Sequence, residues 1–283
     1  EHSVCTFEEF KLGIERCKTH LQWESLVMWL LQFAMRGMYY KDFSTITESI
    51  IEKEKNTDDY KVWCIDDEMV VKHNRHKVKD RVSSPMYIRI DNYPTKQLFW
   101  MLKYSFAYRF WNTTNRDKVG DINDNLSIYK YDSSKNPEDE DFHTQLVNSY
   151  QKAIRNVLPN QPMKNARKAF KSIANNNSTA KIADLLIGHS SDSQQNVLAY
   201  NDDNYKPIVE KIYETHTKVL KEFKADELCQ LLQDKLISLY EQKVVPEFML
   251  GWCLREGFKE NIYIYSTTNG AKKYTSYFKN YNE

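Results

Sequence analysis

The sequence predicts an α+β fold that is mainly α-helical, a bundle carrying one small antiparallel β-sheet. Three observations lead there. Most of the chain repeats its apolar residues at helical spacing behind recognisable N-caps. One block, from Val62 to Ile90, instead holds three short β-rich runs separated by polar turns. Hydrophobic residues make up 41% of the 283, enough to build a packed core.

Residues 6–22 read as a first helix, with Thr6 as N-cap, Glu8 and Glu9 in the first turn and Phe10, Leu12 and Ile14 on an apolar side. Trp23 to Met38 is apolar almost throughout, so it reads as a buried helix delivering Arg36 at its C-terminal end, with Gly37 as the cap. Asp42 to about Ile51 reads as a short helix. Val62–Ile65, Met69–Lys72 and Met86–Ile90 form the antiparallel sheet, and Lys77 falls in the hairpin between the second and third strands. Thr95–Trp111 returns to helix, and residues 112–141 read as a long polar loop with at most a short strand at Ile128–Tyr131. Helices follow at Gln145–Val157, 164–176, Thr179–Gly188, Tyr205–Phe223 and Ala225–Tyr240, then an apolar stretch, Val244–Arg255, around Pro246. Asn261–Ser266 and Lys273–Phe278 flank Asn269-Gly270, a type I′ hairpin signature. Two units are expected: 1–224, and a C-terminal helical and hairpin appendage at 225–283. The appendage either completes the core or docks on a neighbouring subunit through residues such as Phe248, Met249, Leu250 and Trp252.

Five scattered cysteines with no Cys-x-x-Cys pair argue against a disulfide framework or a zinc site and for a reducing compartment. No apolar run approaches a membrane span, so a soluble, intracellular protein is expected. The formal net charge of +1 says little, but its distribution says more. Gln151 to Ala183 carries seven Lys/Arg and no acid, and Lys72 to Arg81 carries five against one, whereas Pro137–Asp141 is acidic. Charge segregated in this way fits a single basic face, and it equally fits a solvated basic helix.

An ordered set of residues gives that face a chemistry. Lys164 stands three positions before Arg167, Gly188-His189-Ser190 follows, and Tyr200 comes soon after. An arginine grips a phosphate with a planar fork, a histidine donates to developing charge, and a tyrosine supplies an oxygen nucleophile. Each residue has a plainer role available. Arg36 closes a helix, Arg167 lies on a basic stripe, Gly188-His189 is a helix stop, and Asp42 is a possible N-cap. Tyr200 is one of 19 tyrosines with Tyr205 close by, and Lys77 has Lys72 and Lys79 as neighbours.

In their order, these residues resemble the catalytic domain of the tyrosine recombinase (phage integrase) family over roughly residues 5–222. Phe33-Ala34-Met35-Arg36-Gly37-Met38 is similar to the first-arginine segment, closest to the Arg-Gly-Met form of integrases in Bacteroides-type phages and mobile elements. Arg75-His76-Lys77 resembles the catalytic-lysine turn, Lys164-Asn165-Ala166-Arg167 the His/Lys-x-x-Arg motif, and Leu185-Leu186-Ile187-Gly188-His189-Ser190 the Leu-Leu-Gly-His-Ser box. Tyr200 takes the nucleophile's place, eleven residues after His189, as in the Bacteroides-like branch; at the commoner spacing of nine this chain has Leu198. Tyr39 stands where an acid is usual, with Asp42 the nearest substitute, and Lys168 replaces a usual histidine. The N-terminal core-binding domain of the family is not represented.

The resemblance implies a site-specific recombinase that integrates or excises a mobile element, with Arg36, Lys77, Lys164, Arg167, His189 and Tyr200 as catalytic residues. Tyr200 would form a covalent 3′-phosphotyrosyl link, Lys77 would protonate the leaving 5′-oxygen and Lys164 would assist proton transfer. No metal, ATP or other cofactor is implied. The implied partners are double-stranded DNA and further copies of the chain, a tetramer on two DNA sites, in the cytoplasm or nucleoid of a bacterial host. A type IB topoisomerase or telomere resolvase shares this chemistry, and a non-catalytic DNA-binding relative would fit the shifted tyrosine and the missing acid.

Overall fold

The computed structural model describes residues 4–39, 70–73, 86–90, 92–111, 140–188 and 202–254. Among them the chain is mainly helical: α1 (Phe7–Arg16), α2 (His20–Ala34), α3 (Tyr93–Trp111), α4 (Glu140–Arg155), α5 (Asn165–Asn177), α6 (Ala180–Leu186), α7 (Asp202–Glu222), α8 (Ala225–Glu241) and α9 (Glu247–Cys253). Two strands, β1 (Val70–His73) and β2 (Met86–Arg89), pair antiparallel with Val70 opposite Arg89 and His73 opposite Met86. The helix expected at 42–51, the strands at 62–65 and 128–131 and the hairpin at 261–278 lie outside the described residues. No helix among the described residues is long and apolar enough to cross a membrane.

The single helix expected over 6–22 is two. Thr19 starts α2 with a capping box: its hydroxyl accepts from Gln22 N at 3.2 Å, and Gln22 Oε1 accepts from Thr19 N at 3.2 Å and Lys18 N at 2.8 Å. The reciprocal pair satisfies donors that a continuing helix would have bonded internally, so the chain turns at Cys17.

Five of the described helices are arranged around α2. Every residue from Trp23 to Ala34 is buried, as a helix apolar all round must be, and α1, α3, α4, α5 and α8 pack against it. Rings of three helices and of the turn after α7 interlock beside its C-terminal half: Trp29 lies 5.1 Å from Phe10, and Phe33 lies 4.3 Å from Phe223 and 5.5 Å from Phe170, between ring centroids. A buried polar cluster ties α2 to α3 and α4. Tyr150 and Ser105 each donate a hydroxyl to the Glu24 carboxylate at 2.7 Å, and His20 Nε2 lies 2.7 Å from Ser105 Oγ. These partners satisfy a carboxylate with no exposure to solvent.

Residues 225–254 share this core. Leu228, Leu232, Leu236 and Leu239 are buried along α8, and Trp23 donates its indole N–H to Leu232 O at 2.7 Å. Gln97 donates to Cys253 O at 2.7 Å, fixing α9 on α3. The expected division between 224 and 225 falls at a two-residue turn, Phe223-Lys224, between α7 and α8, with Lys224 at φ 53°. That turn joins two helices whose apolar sides face one interior.

Candidate active site

Two helix stops and one arginine build the site. The first stop ends α2. Met35 is the C-cap, Arg36 N bonds back to Phe33 O at 3.0 Å, and Gly37 N bonds to Gln32 O at 2.7 Å. This is the Schellman pattern, but the left-handed residue that normally would be glycine is Arg36, at φ 57°, followed by Gly37 at φ 72°. The expected glycine cap is thus displaced by one position, and a non-glycine residue carries the unfavourable backbone. The second stop ends α6, where Ile187 is the C-cap and Gly188, at φ 63°, bonds back to Leu185 O at 3.1 Å.

Arg167, in the first turn of α5, joins the two. Its Nη1 donates to Gly37 O at 3.1 Å, and its Nη2 makes a short bond to Ile187 O. The approach is close: a Cβ on Gly37 would stand 2.7 Å from Arg167 Cα and 2.6 Å from its Cγ. The planar fork suits this task because its donors diverge at fixed angles toward two carbonyls. The Tyr39 ring lies 5.6 Å from Arg167 Cζ, so the position where the resemblance calls for an acid holds an aromatic face against the guanidinium.

Arg36 is only 2% exposed. Burial is the main reason its guanidinium is pulled down to about 10, with Tyr213 acting in the opposite sense, so it keeps its charge at neutral pH. Nε donates to His216 Nδ1 at 3.5 Å, the Tyr213 ring centroid lies 6.0 Å from Cζ, and Nη2 has no hydrogen-bond partner among the described residues. A buried, charged donor without an acceptor is costly, and an anionic ligand would offset that cost. Arg89, at the end of β2, faces the same Tyr213 ring from 5.9 Å, bringing a further cation to this corner.

Of the six residues the sequence nominated, the described chain brings Arg36 and Arg167 to one place, with Lys164 exposed one helical turn before Arg167 as the N-cap of α5. Gly188, which precedes His189, is buried in the stop that Arg167 holds. Lys77, His189 and Tyr200 lie outside the described residues, as do Asp42, Lys79 and the side chains of Lys72 and Tyr205. Lys168 is exposed beside Lys164, while Lys171 is paired with Asp184 at 2.9 Å, just past the acid-free stretch. Arg89, Tyr213 and His216 were not nominated. Tyr213 and His216 show a weak signal, a polar pair at i and i+3 on the apolar side of α7, and no spacing rule connects them to Arg36.

Comparison with protein-family models, with curated proteins and with solved structures finds no match for this chain.

Proposed function

We propose that this chain is the catalytic portion of a DNA strand-exchange enzyme with a tyrosine recombinase-like helical bundle and β-hairpin. It would integrate or excise a mobile element through a covalent phosphotyrosyl intermediate. The observation that carries the reading is the bridge made by Arg167: one guanidinium holds both the stop bearing Arg36 and the stop preceding His189. Segments 130 and 20 residues distant from Arg167 thereby meet at one guanidinium, which supports a shared phosphate site. The buried Arg36 Nη2, charged and unpartnered among the described residues, is the kind of donor a phosphodiester oxygen would satisfy.

In this reading the Tyr200 oxygen attacks the scissile phosphorus in line. The new bond is Tyr200 Oη–P and the broken one is P–O5′. The phenol proton passes to a base assisted by Lys164, and the Lys77 ammonium delivers a proton to the departing 5′-oxygen. Arg36, Arg167 and His189 stabilise the charge that builds on the non-bridging oxygens, where one well-placed donor contributes about 3–4 kcal/mol. The phosphotyrosine retains the energy of the broken ester, so the reverse attack by a 5′-hydroxyl of a second duplex rejoins strands. The exposed Lys164 and Lys168 provide charge for the DNA backbone, and copies of the chain would pair two duplexes as a tetramer.

A duplex nicked just past the cleavage point traps the intermediate, because the released fragment diffuses away. The expected result is a covalent protein–DNA adduct that Tyr200→Phe abolishes and Tyr205→Phe leaves intact. An adduct that survives Tyr200→Phe overturns the nucleophile assignment. Relaxation of supercoiled plasmid without recombinant products would assign the topoisomerase reading. Salt-sensitive DNA binding with no adduct would assign a non-catalytic binder.

A further inference from the structure

The side of α7 that meets the end of α2 carries His216, 3% exposed, one turn beyond Tyr213. Its imidazole is held at both nitrogens. Nε2 lies 2.8 Å from Ala34 O, and a carbonyl can only accept, so the ring proton sits on Nε2. Nδ1 is therefore a bare acceptor, and the group in front of it is Arg36 Nε at 3.5 Å. The Phe170 ring packs edge-on against the imidazole with centroids 5.7 Å apart, which fixes the ring plane from the α5 side. Ala34 is the last residue of α2, so one imidazole grips both the helix end and the side chain that projects just beyond it.

We propose that His216 is a positioning residue for Arg36. It takes up the Nε edge of the guanidinium, with the Tyr213 face alongside, and so reserves the Nη2 end for a non-bridging phosphate oxygen. The assignment rests on the strand-exchange reading for its ligand, but the clamp itself is a property of the free chain. The tautomer is stable under working conditions: burial first, then the charge of Arg36, and more weakly that of Arg89, push His216 down to about 3 despite the Ala34 bond. The ring stays neutral, as an acceptor for a buried cation must.

Two full-length variants separate this role from simple core support. His216→Gln sets an amide nitrogen where Nε2 stands, keeping the donor to Ala34 O and losing the acceptor for Arg36. His216→Asn keeps an acceptor near Nδ1 and loses the reach to Ala34. Single-turnover adduct formation on the nicked duplex is expected to slow about tenfold in His216→Gln with DNA affinity and melting temperature close to the parent. In His216→Asn the melting temperature falls further while cleavage stays faster than in His216→Gln. The opposite order, with His216→Gln cleaving like the parent, overturns the proposal. A parent chain that forms no adduct removes the strand-exchange reading, and nitrogen NMR of the imidazole then decides the clamp. A bare Nδ1 whose resonance moves on Arg36→Lys supports it, whereas a protonated Nδ1, or one indifferent to that change, overturns it.

Discussion

Gly37→Ala is the most direct probe of how the site is assembled. At φ 72° a Cβ meets the ordinary left-handed penalty of about 1–2 kcal/mol. The added methyl would also stand 2.7 Å from both Cα and Cβ of Arg167, too close for a real contact, so α5 and the α2 stop must move apart. Overpacking of that kind costs about 1–3 kcal/mol, which brings the expected loss to roughly 3 kcal/mol. Urea unfolding of the full chain should show this as a lower midpoint at unchanged slope. For a chain of this size the thermal midpoint should fall on the order of 6 °C. The decisive comparison is the same substitution in an Arg167→Ala background. Alanine retains Cα and Cβ, two of the three colliding atoms, so the penalty should persist nearly in full. A loss below about 1 kcal/mol, or complete relief by Arg167→Ala, would mean that the long side chain and not the backbone approach makes the contact.

Three further outcomes are expected. His216 titrates near 6.5 in an unfolded chain and at about 3 in the fold. The folded value is the lower one, so the unfolded state takes the proton first. The stability tied to neutral His216 is complete above about pH 6.5 and is lost as pH falls toward 3, by roughly 2 kcal/mol at pH 5. His216→Phe should flatten the pH dependence of unfolding by that amount, and an unchanged slope would refute it. Tyr150→Phe removes a hydroxyl donor from the fully buried Glu24 carboxylate and should cost about 1–3 kcal/mol in urea unfolding; a cost within error would mean water replaces it. Arg36→Gly places glycine at a left-handed position and removes a buried charge, so stability should equal or exceed the parent's while adduct formation is lost; a drop of more than about 2 kcal/mol would make Arg36 a structural residue.

What could be read from the sequence divides along the reach of the rules used. The buried course of α2 is legible because Leu26, Val27, Trp29, Leu30, Leu31 and Phe33 leave no polar side. Helix periods gave α3, α5, α7 and α8 to within a few residues. The break between α1 and α2 was also written locally, as Thr19-x-x-Gln22, but the apolar spacing runs across it and hides it. The candidate site was legible only as an ordered list: spacing nominated Arg167, the family resemblance nominated Arg36, and no local rule states that Arg167 directs two of its donors to Gly37 O and Ile187 O. His216 is 180 residues from Arg36 and carries no motif, so it becomes visible only when α7 is laid against the end of α2. The C-terminal segment shows the same limit. Leu228, Leu232, Leu236 and Leu239 announce an apolar stripe, but a stripe does not say whether its own core or another subunit covers it.

Arg36 gathers three costs at one residue. Its backbone lies in the left-handed region at φ 57°, its charge is 2% exposed, and its Nη2 lacks a hydrogen-bond partner among the described residues. Glycine would relieve the first, and leucine or methionine the second and third, in a helix stop whose hydrogen bonds take nothing from the Arg36 side chain. Core packing therefore gives no reason for an arginine here. In the proposed strand-exchange reading, a permanent, planar cation held beside a neutral imidazole, on a helix end that Arg167 joins to the Gly188 stop, would give one. Strain and desolvation concentrated where two distant segments meet are what a preorganised anion site requires, because its donors must be fixed before the charge arrives.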